Sequence, residues 1–369
     1  MIIDNRGHAL RFLTLWFAAF FLLLVSSLAT PSMAQDAAEK SSLIAFVEEK
    51  ISTENFRVGL NGLSGSLSSD VSLDSITFAD RSGVWLTISK PRLIWKRASL
   101  LLGEVDVESL SAESIILSRL PAPDESAPSA ETRPFTLPDL PVSVLLEKIE
   151  INSIDIDESV FGLASKTNFV GKLALENGLL DVDVKMQRLD GAGGTLSLVG
   201  DYSSEKQWLK LAAQLIEPQD GLFVNLLNIE KRPPVSLEVA GEGPVSGFDM
   251  TLAFDVDQSS VLKGALKLSG VENGQTVSAK LAGPLATILP QQHRAFFGTN
   301  SQINATALLC DDGVIDISSF AIKTGNLDLD GRARLLADGF LGALQVEMSV
   351  LPNQTQKVRL PLAGGGNPT

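Results

Sequence analysis
The chain has 369 residues, of which 44% are hydrophobic, and it carries 30 Lys and Arg against 44 Asp and Glu, a formal net charge of −14. So apolar a chain is not disordered, and so acidic a one lacks the basic footprint of a nucleic-acid binder and any charge-driven attraction to an anionic membrane surface. Cys310 is the only cysteine and His8 and His293 the only histidines, which excludes an intramolecular disulfide and a multi-histidine metal site.

Residues 1–34 read as an export signal. Arg6 and Arg11 give a positive start, no charge follows from Phe12 to Ala34, and Ser32-Met33-Ala34 has the small-x-small form of a cleavage site. The apolar run from Phe12 to Ala29 is also long enough to span a bilayer, so a cleaved signal and a retained inner-membrane anchor both stay open. Either way the body leaves the cytoplasm, and a bacterial periplasm is its expected location. Residues 35–55 read as one amphipathic helix, with Leu43, Ile44, Phe46, Val47 and Ile51 on one side. It either caps the first strands or lies at the membrane surface.

From Phe56 the apolar period changes to two. Residues 56–120 form a first series of short strands, punctuated by Gly62, Gly65, Ala79–Gly83 and Lys90-Pro91. Residues 121–141 are rich in Pro, Ser, Ala and Glu and read as an exposed loop or linker. Strands resume over 142–369. Asn177-Gly178 marks a tight hairpin, with Leu180, Val182, Val184 and Met186 on one face and Asp181, Asp183 and Lys185 on the other. Farther on, Leu252, Phe254 and Val256 oppose Asp255 and Asp257, and Leu262, Leu266 and Leu268 oppose Lys263 and Lys267. Two short helices interrupt the strands, one near 220–229 with Asp220 as its N-cap and one near 284–298.

One strand-like unit recurs: Val105, Val107, Ser109 and Leu110; Ile149, Ile151, Ser153 and Ile154; Ile315, Ile317, Ser319 and Phe320. Clean alternation gives a sheet one apolar and one polar face, and a bare apolar face of more than a few hundred Å² is rare. Two short helices cannot cover about twenty strands. A sandwich, a solenoid, or one long sheet curled into a gutter around something apolar remain, and the irregular spacing of the copies disfavours a strict β-helix.

The residues that carry chemistry are missing. There is no G-x-S-x-G, H-E-x-x-H, C-x-x-C or P-loop. GLSGSL reads as a turn between strands, and CDDG and LDLDG as a hairpin turn and a solvated strand face without EF-hand spacing. Cys310 reads as a small strand-end residue, and Trp85 and Trp95 as packing residues. No catalytic residue, metal or cofactor is expected.

The stretch from Leu60 to Pro121 resembles the N-terminal signature of the TamB family of AsmA-like envelope proteins. The match runs through Gly65, Leu67, Leu73 and Ile76, then Asp80, Gly83 and Trp85, then Leu93, Trp95, Leu100, Leu101 and Gly103, and ends on Val107, Leu110, Leu117, Arg119 and Pro121. RLDGAGGTLSLVGDY, RPPVSLEVAGEGPVSGFDMTLAFD and RAFFG follow in family order. The resemblance implies a mainly β fold: a long curled antiparallel-type sheet, the β-taco, whose hydrophobic groove carries phospholipid between the inner and outer membranes of a Gram-negative envelope. It also implies an inner-membrane anchor helix, a role in outer-membrane protein and autotransporter assembly and secretion, and, for full-length members, a TamA-like outer-membrane barrel as partner. Family chains are several times longer and continue where this one stops at LPLAGGGNPT, so the chain is expected to be an N-terminal portion without the barrel-contacting part. At roughly 4.8 Å per strand, about twenty strands give a groove on the order of 100 Å long. Its expected lining, in contact with phospholipid acyl chains, is Leu180, Val182, Val184, Leu196, Leu198, Leu252, Phe254, Val256, Leu266 and Leu268. The alternative is a scaffold whose sheet edges and acidic face bind an envelope partner or a client strand by strand addition.

Overall fold
The computed structural model describes residues 56–66, 68–121, 143–227, 229–271, 274–290, 300–337 and 340–350, with Glu48, Ser52 and Arg294. The expected leader (1–34), nearly all of the 35–55 helix, residues 122–141 of the Pro-rich segment, Val142, His293 and residues 351–369 lie outside that set. The described residues are mainly β, with strands β1 to β20, mostly antiparallel, and few helices. They fall into two compact units that divide between Asp190 and Gly191.

The first unit holds β1 (Arg57–Asn61), β2 (Ser64–Ser66), β3 (Asp70–Ser72), β4 (Ser75–Asp80), β5 (Gly83–Ser89), β6 (Arg92–Trp95), β7 (Glu104–Leu117), β8 (Ser143–Ile156), β9 (Ser165–Glu176) and β10 (Leu179–Arg188), with a one-turn helix α1 (Glu158–Phe161). The long β7 organises it. One edge of β7 receives β6 near its start and β5 near its end, and its other edge receives β8. Antiparallel β9 and β10 then follow. Asn177 and Gly178, at φ 49 and 72, make the expected two-residue turn between β9 and β10.

The β7–β8 pair is parallel, and here the recurring unit finds its explanation. From Val105 the chain reads VDVES-LSAES-IIL, and from Val144 it reads VLLEK-IEINS-IDI. Val105, Val107, Leu110, Ala112, Ile115 and Leu117 pair with Val144, Leu146, Ile149, Ile151, Ile154 and Ile156. Strict alternation would turn every second apolar pair outward. One extra residue in each unit restores the face, and the β8–β9 ladder shifts register at those places, between Leu146 and Ile149 and between Ile151 and Ile154. The copy at Ile315 behaves alike, with a register shift between Ile317 and Phe320. Val105 lies beside Val144 rather than beside Ile149, its counterpart in the repeat, because a sequence periodic in fives matches itself equally well one unit along.

Apolar residues on one face of this unit pack into two clusters. Phe56, Phe78 and Trp85 meet with ring centroids 5.8 to 6.3 Å apart above Val58 and Leu60. Trp95 packs with Val105, Val107 and Leu146. The outer edge of β1 is closed by side chains. Leu60 N–H donates to Glu48 Oε1 at 2.6 Å and Val58 N–H to Ser52 Oγ at 3.0 Å. Ser52 N–H also donates to the Glu48 carbonyl, the i to i−4 bond of a helix, so this point of the 35–55 segment caps a strand edge.

Arg188 is the charged residue at the end of an otherwise uncharged cross-strand row, Leu60, Ile76, Ile88, Ile115, Ile154 and Thr167. Its Nε donates to Asp190 Oδ1 at 2.8 Å, and Lys166 N–H donates to the same oxygen. The guanidinium, seconded by that N–H, holds the Asp190 carboxyl below its usual range. A depressed folded-state pKa adds stability above the unfolded carboxylate range, and this is lost as pH falls through the folded value. Urea midpoints measured across the acid range are therefore expected to fall less steeply in Arg188→Gln than in the parent chain.

The second unit is a plain meander of β11 (Thr195–Ser203), β12 (Trp208–Glu217), β13 (Val235–Pro244), β14 (Phe248–Val256), β15 (Ser259–Val271), β16 (Gly274–Gly283), β17 (Ser301–Cys310), β18 (Ile315–Lys323), β19 (Leu327–Leu335) and β20 (Leu341–Val350). Each strand pairs antiparallel with the next. Among the described residues β20 does not pair back to β11, so this sheet is open. The helix expected near 220–229 is α2 (Leu222–Leu226), and its cap differs from expectation. Asp220 sits at φ 62, outside the geometry of a cap residue. Gly221 takes the position, and the buried Glu217 carboxylate accepts from Leu222 and Phe223 N–H at 3.0 and 2.8 Å. A Cβ on residue 221 would overlap that carboxylate, which accounts for the glycine. Of the helix expected near 284–298, the described residues include a 3-10 turn, Leu285–Thr287, and Arg294, which is helical.

Candidate functional site
Residues directly opposite each other in an antiparallel ladder share a face, so the register of the second unit can be read straight across it. Leu198, Ala213, Val239, Leu252, Gly264, Leu281, Ile303, Ile322, Leu329 and Met348 are successive partners from β11 to β20. A neighbouring row on the same face runs Gly200, Leu211, Gly241, Met250, Leu266, Ala279, Ala305, Phe320, Gly331 and Val346. Neither row contains a polar side chain. Phe248 and Phe320 lie across Gly241 and Gly331, where a Cβ would come within 2.9 and 2.5 Å of their rings, so the glycines leave room for aromatic cover.

The opposite face is wet. Ser197, Gln214, Glu238, Ala253, Lys263, Ala282, Gln302, Lys323, Asp328 and Ser349 form one of its rows. Gln214 donates to Glu238 across the strands at 2.8 Å. A carboxylate–ammonium pair, Asp249 and Lys267 at 3.6 Å, is solvated there and adds little to stability.

One end of the apolar face is covered. Val224 of α2 is fully buried against Val235, Phe254, Val256 and Val261, with Ile288 packed on the same cluster. Beyond this end the extensive strand contacts run between hydrogen-bonded neighbours, as in a single layer. Leu252, Leu266, Leu281, Ile303 and Ile322 are half-buried, and on β20 Leu344 and Met348 are 56% and 54% exposed.

Within the second unit, Leu196, Leu198, Leu252, Phe254, Val256, Leu266 and Leu268 all lie on the apolar face. Phe254 and Val256 are in its covered end, and Leu196 is exposed. Leu180, Val182 and Val184 lie in the first unit on β10, opposite Leu175, Leu173 and Gly171, in rows that reach Val105, Trp95 and Leu93. Leu211, Leu215, Val239, Leu281, Ile303 and Leu329 belong to the same apolar face in the second unit and were not anticipated. The signal was alternation in WLKLAAQLIE, VSLEVAGEGP, GQTVSAKLAG, SQINATALLC and LDLDGRARL, weakened by alanine and glycine.

Asp80, Trp85 and Arg119 have a structural task in the first unit. Arg119 grips Asp80 with both guanidinium nitrogens, Nη1 to Oδ2 at 2.7 Å and Nη2 to Oδ1 at 2.5 Å, and Nη2 also donates to the Gly83 carbonyl. The buried Trp85 stands beside this clasp on β5, and its carbonyl accepts from Ser118 N–H. Cys310 ends β17 as expected, and burial, seconded by the carboxylates of Asp312 and Asp316, pushes its thiol up. Among the described residues no three His, Cys, Asp or Glu side chains are grouped to hold a metal ion, and no helix is long and apolar enough to cross a membrane.

The fold and its candidate site define a one-sided amphipathic β-sheet protein. The chain matches no family model, no curated protein and no solved structure.

Proposed function
We propose that the chain shields phospholipid acyl chains on the apolar face of β11 to β20, as part of a TamB-like periplasmic groove that carries lipid between the inner and outer membranes and supports outer-membrane protein assembly. The observation behind this reading is the continuity of uncharged cross-strand rows through β11 to β20, with protein cover at one end. Apolar surface left in water costs about 25 cal/mol per Å², so a face of this extent favours an apolar occupant. Many equivalent leucine and valine contacts without a polar anchor suit an acyl chain that slides. The reading includes export through the N-terminal segment and no catalytic chemistry.

A second reading, a scaffold that adds a client strand, draws on the contrast between edges. The β1 edge is closed by Glu48 and Ser52. Among the described residues β20 pairs on one side, with β19, and its side chains are exposed almost throughout. Native mass spectrometry with lipid extraction separates the two. Stoichiometric phospholipid on the purified chain supports the first, and a folded, lipid-free chain favours the second.

A further inference from the structure
We propose that the turn Arg97–Leu102, between β6 and β7, is a membrane-docking tip that inserts Leu101 and Leu102 into a phospholipid bilayer. Leu100 folds inward onto the cluster of Trp95, Val105 and Val107. Its two neighbours do the opposite. Leu101 and Leu102 are 90% and 79% exposed, the highest values of any large apolar side chain among the described residues.

This exposure is built in. Gly103 closes the turn at φ 76, with its N–H donating to the Leu100 and Ser99 carbonyls. Lys96 N–H donates to the Asp106 carbonyl at 2.8 Å, and Ser143 N–H to the Gly103 carbonyl at 2.9 Å. A fixed turn that keeps two leucines in water forgoes roughly tenfold or more per leucine in an equilibrium constant.

Shape selects the occupant. The charges beside the turn are mixed, Lys96 and Arg97 on the β6 side and the exposed Glu104 on the β7 side. Lys90 is bound to Glu113, Arg92 to Asp70, and Lys96 to Asp106 and Glu147. Arg97 makes no ion pair among the described residues and is exposed at the base of the turn, where a lipid phosphate would meet it. An apolar apex with an exposed guanidinium at its base fits a fluid interface that closes around a protrusion, whereas a protein partner would need a matching pocket. The acidic body gives no long-range attraction to anionic lipid, so the leucines carry the insertion. The proposal concerns the first unit alone and stands or falls apart from lipid binding by the second.

The test uses the full chain with Cys310→Ser and a single Leu102→Cys carrying an environment-sensitive NBD fluorophore. The control carries the same label at Ser82→Cys, an exposed position in the β4–β5 turn. Vesicles of phosphatidylethanolamine with a minor share of phosphatidylglycerol are expected to shift the emission at 102 to the blue and brighten it, and nitroxide on the acyl chains to quench it. The label at 82 keeps its aqueous emission. Adding Leu101→Ser is expected to raise the lipid concentration needed by roughly tenfold. Aqueous emission at 102, whether or not the chain sediments with the vesicles, overturns the proposal, as does an equal response at 82.

Discussion
An aspartate in place of Leu266 is expected to strip phospholipid from the chain, while the same charge one residue earlier, in Ala265→Asp, leaves it bound. The two positions are adjacent on β15 and point to opposite faces. Leu266 stands between Met250 and Ala279 in an uncharged row and is half-buried. Ala265 stands between Thr251 and Lys280 on the wet face and is exposed. A carboxylate forced against hydrocarbon without a partner costs at least ~3 kcal/mol, roughly a hundredfold in lipid occupancy. At position 265 it finds water and the Lys280 ammonium. Circular dichroism establishes that both variants fold, and native mass spectrometry after gentle extraction reads the lipid. Equal lipid in the two variants would sink the apolar-face reading. Absence of lipid from all three folded chains would transfer the case to strand addition at β20.

The second large effect is expected at the Asp80–Arg119 clasp. Arg119→Ala leaves a carboxylate whose side chain is 6% exposed without its bidentate partner. Removing one member of a buried pair costs about 3 kcal/mol or more, and the lost bond to the Gly83 carbonyl adds to it. The double variant Asp80→Ala/Arg119→Ala is expected to be more stable than Arg119→Ala alone, since it strands no buried charge. Urea unfolding, followed by a probe in each unit, reads the difference. The first unit's transition moves and the second's does not. A shift in Arg119→Ala no larger than a surface substitution gives would remove the clasp from the account of this unit.

Much of this architecture was legible in local sequence. Period-two alternation located most strands and assigned Leu180, Val182, Leu252 and Leu266 to apolar faces, because side-chain direction in a strand is fixed by parity. Asn177-Gly178 announced its turn because both positions need positive φ. The corresponding turn between β14 and β15 uses Asp257 and Gln258, at φ 51 and 62, and carried no glycine to betray it. The bulged five-residue unit was visible as a repeat but not as a bulge. Its extra residue acquires meaning only when a partner strand supplies the register. Glu217 was opaque for a similar reason: a carboxylate several residues before a helix caps it only if the chain folds back. Continuity of the apolar rows is a property of cross-strand pairing, and no single strand contains it.

The parallel β7–β8 pair has a kinetic consequence. In the second unit every strand pairs with its immediate successor, and within β13 to β16 and within β17 to β20 each hairpin closes over a short connection at small entropic cost, while residues 218–234 and 284–300 make longer ones. In the first unit β8 can join β7 only after the chain has crossed back from Leu117 to Ser143, and β9 and β10 dock on β8 in turn. The β7–β8 seam thus waits on the closure of a long loop, whereas β8, β9 and β10 are joined by short connections. Pulse-labelled hydrogen exchange during refolding is expected to find the amides of β13 to β16 protected before those at the β7–β8 seam, and the reverse order would refute a topological clock. A chain made N-terminus first would then hold one edge of β7 open while later hairpins are already closing.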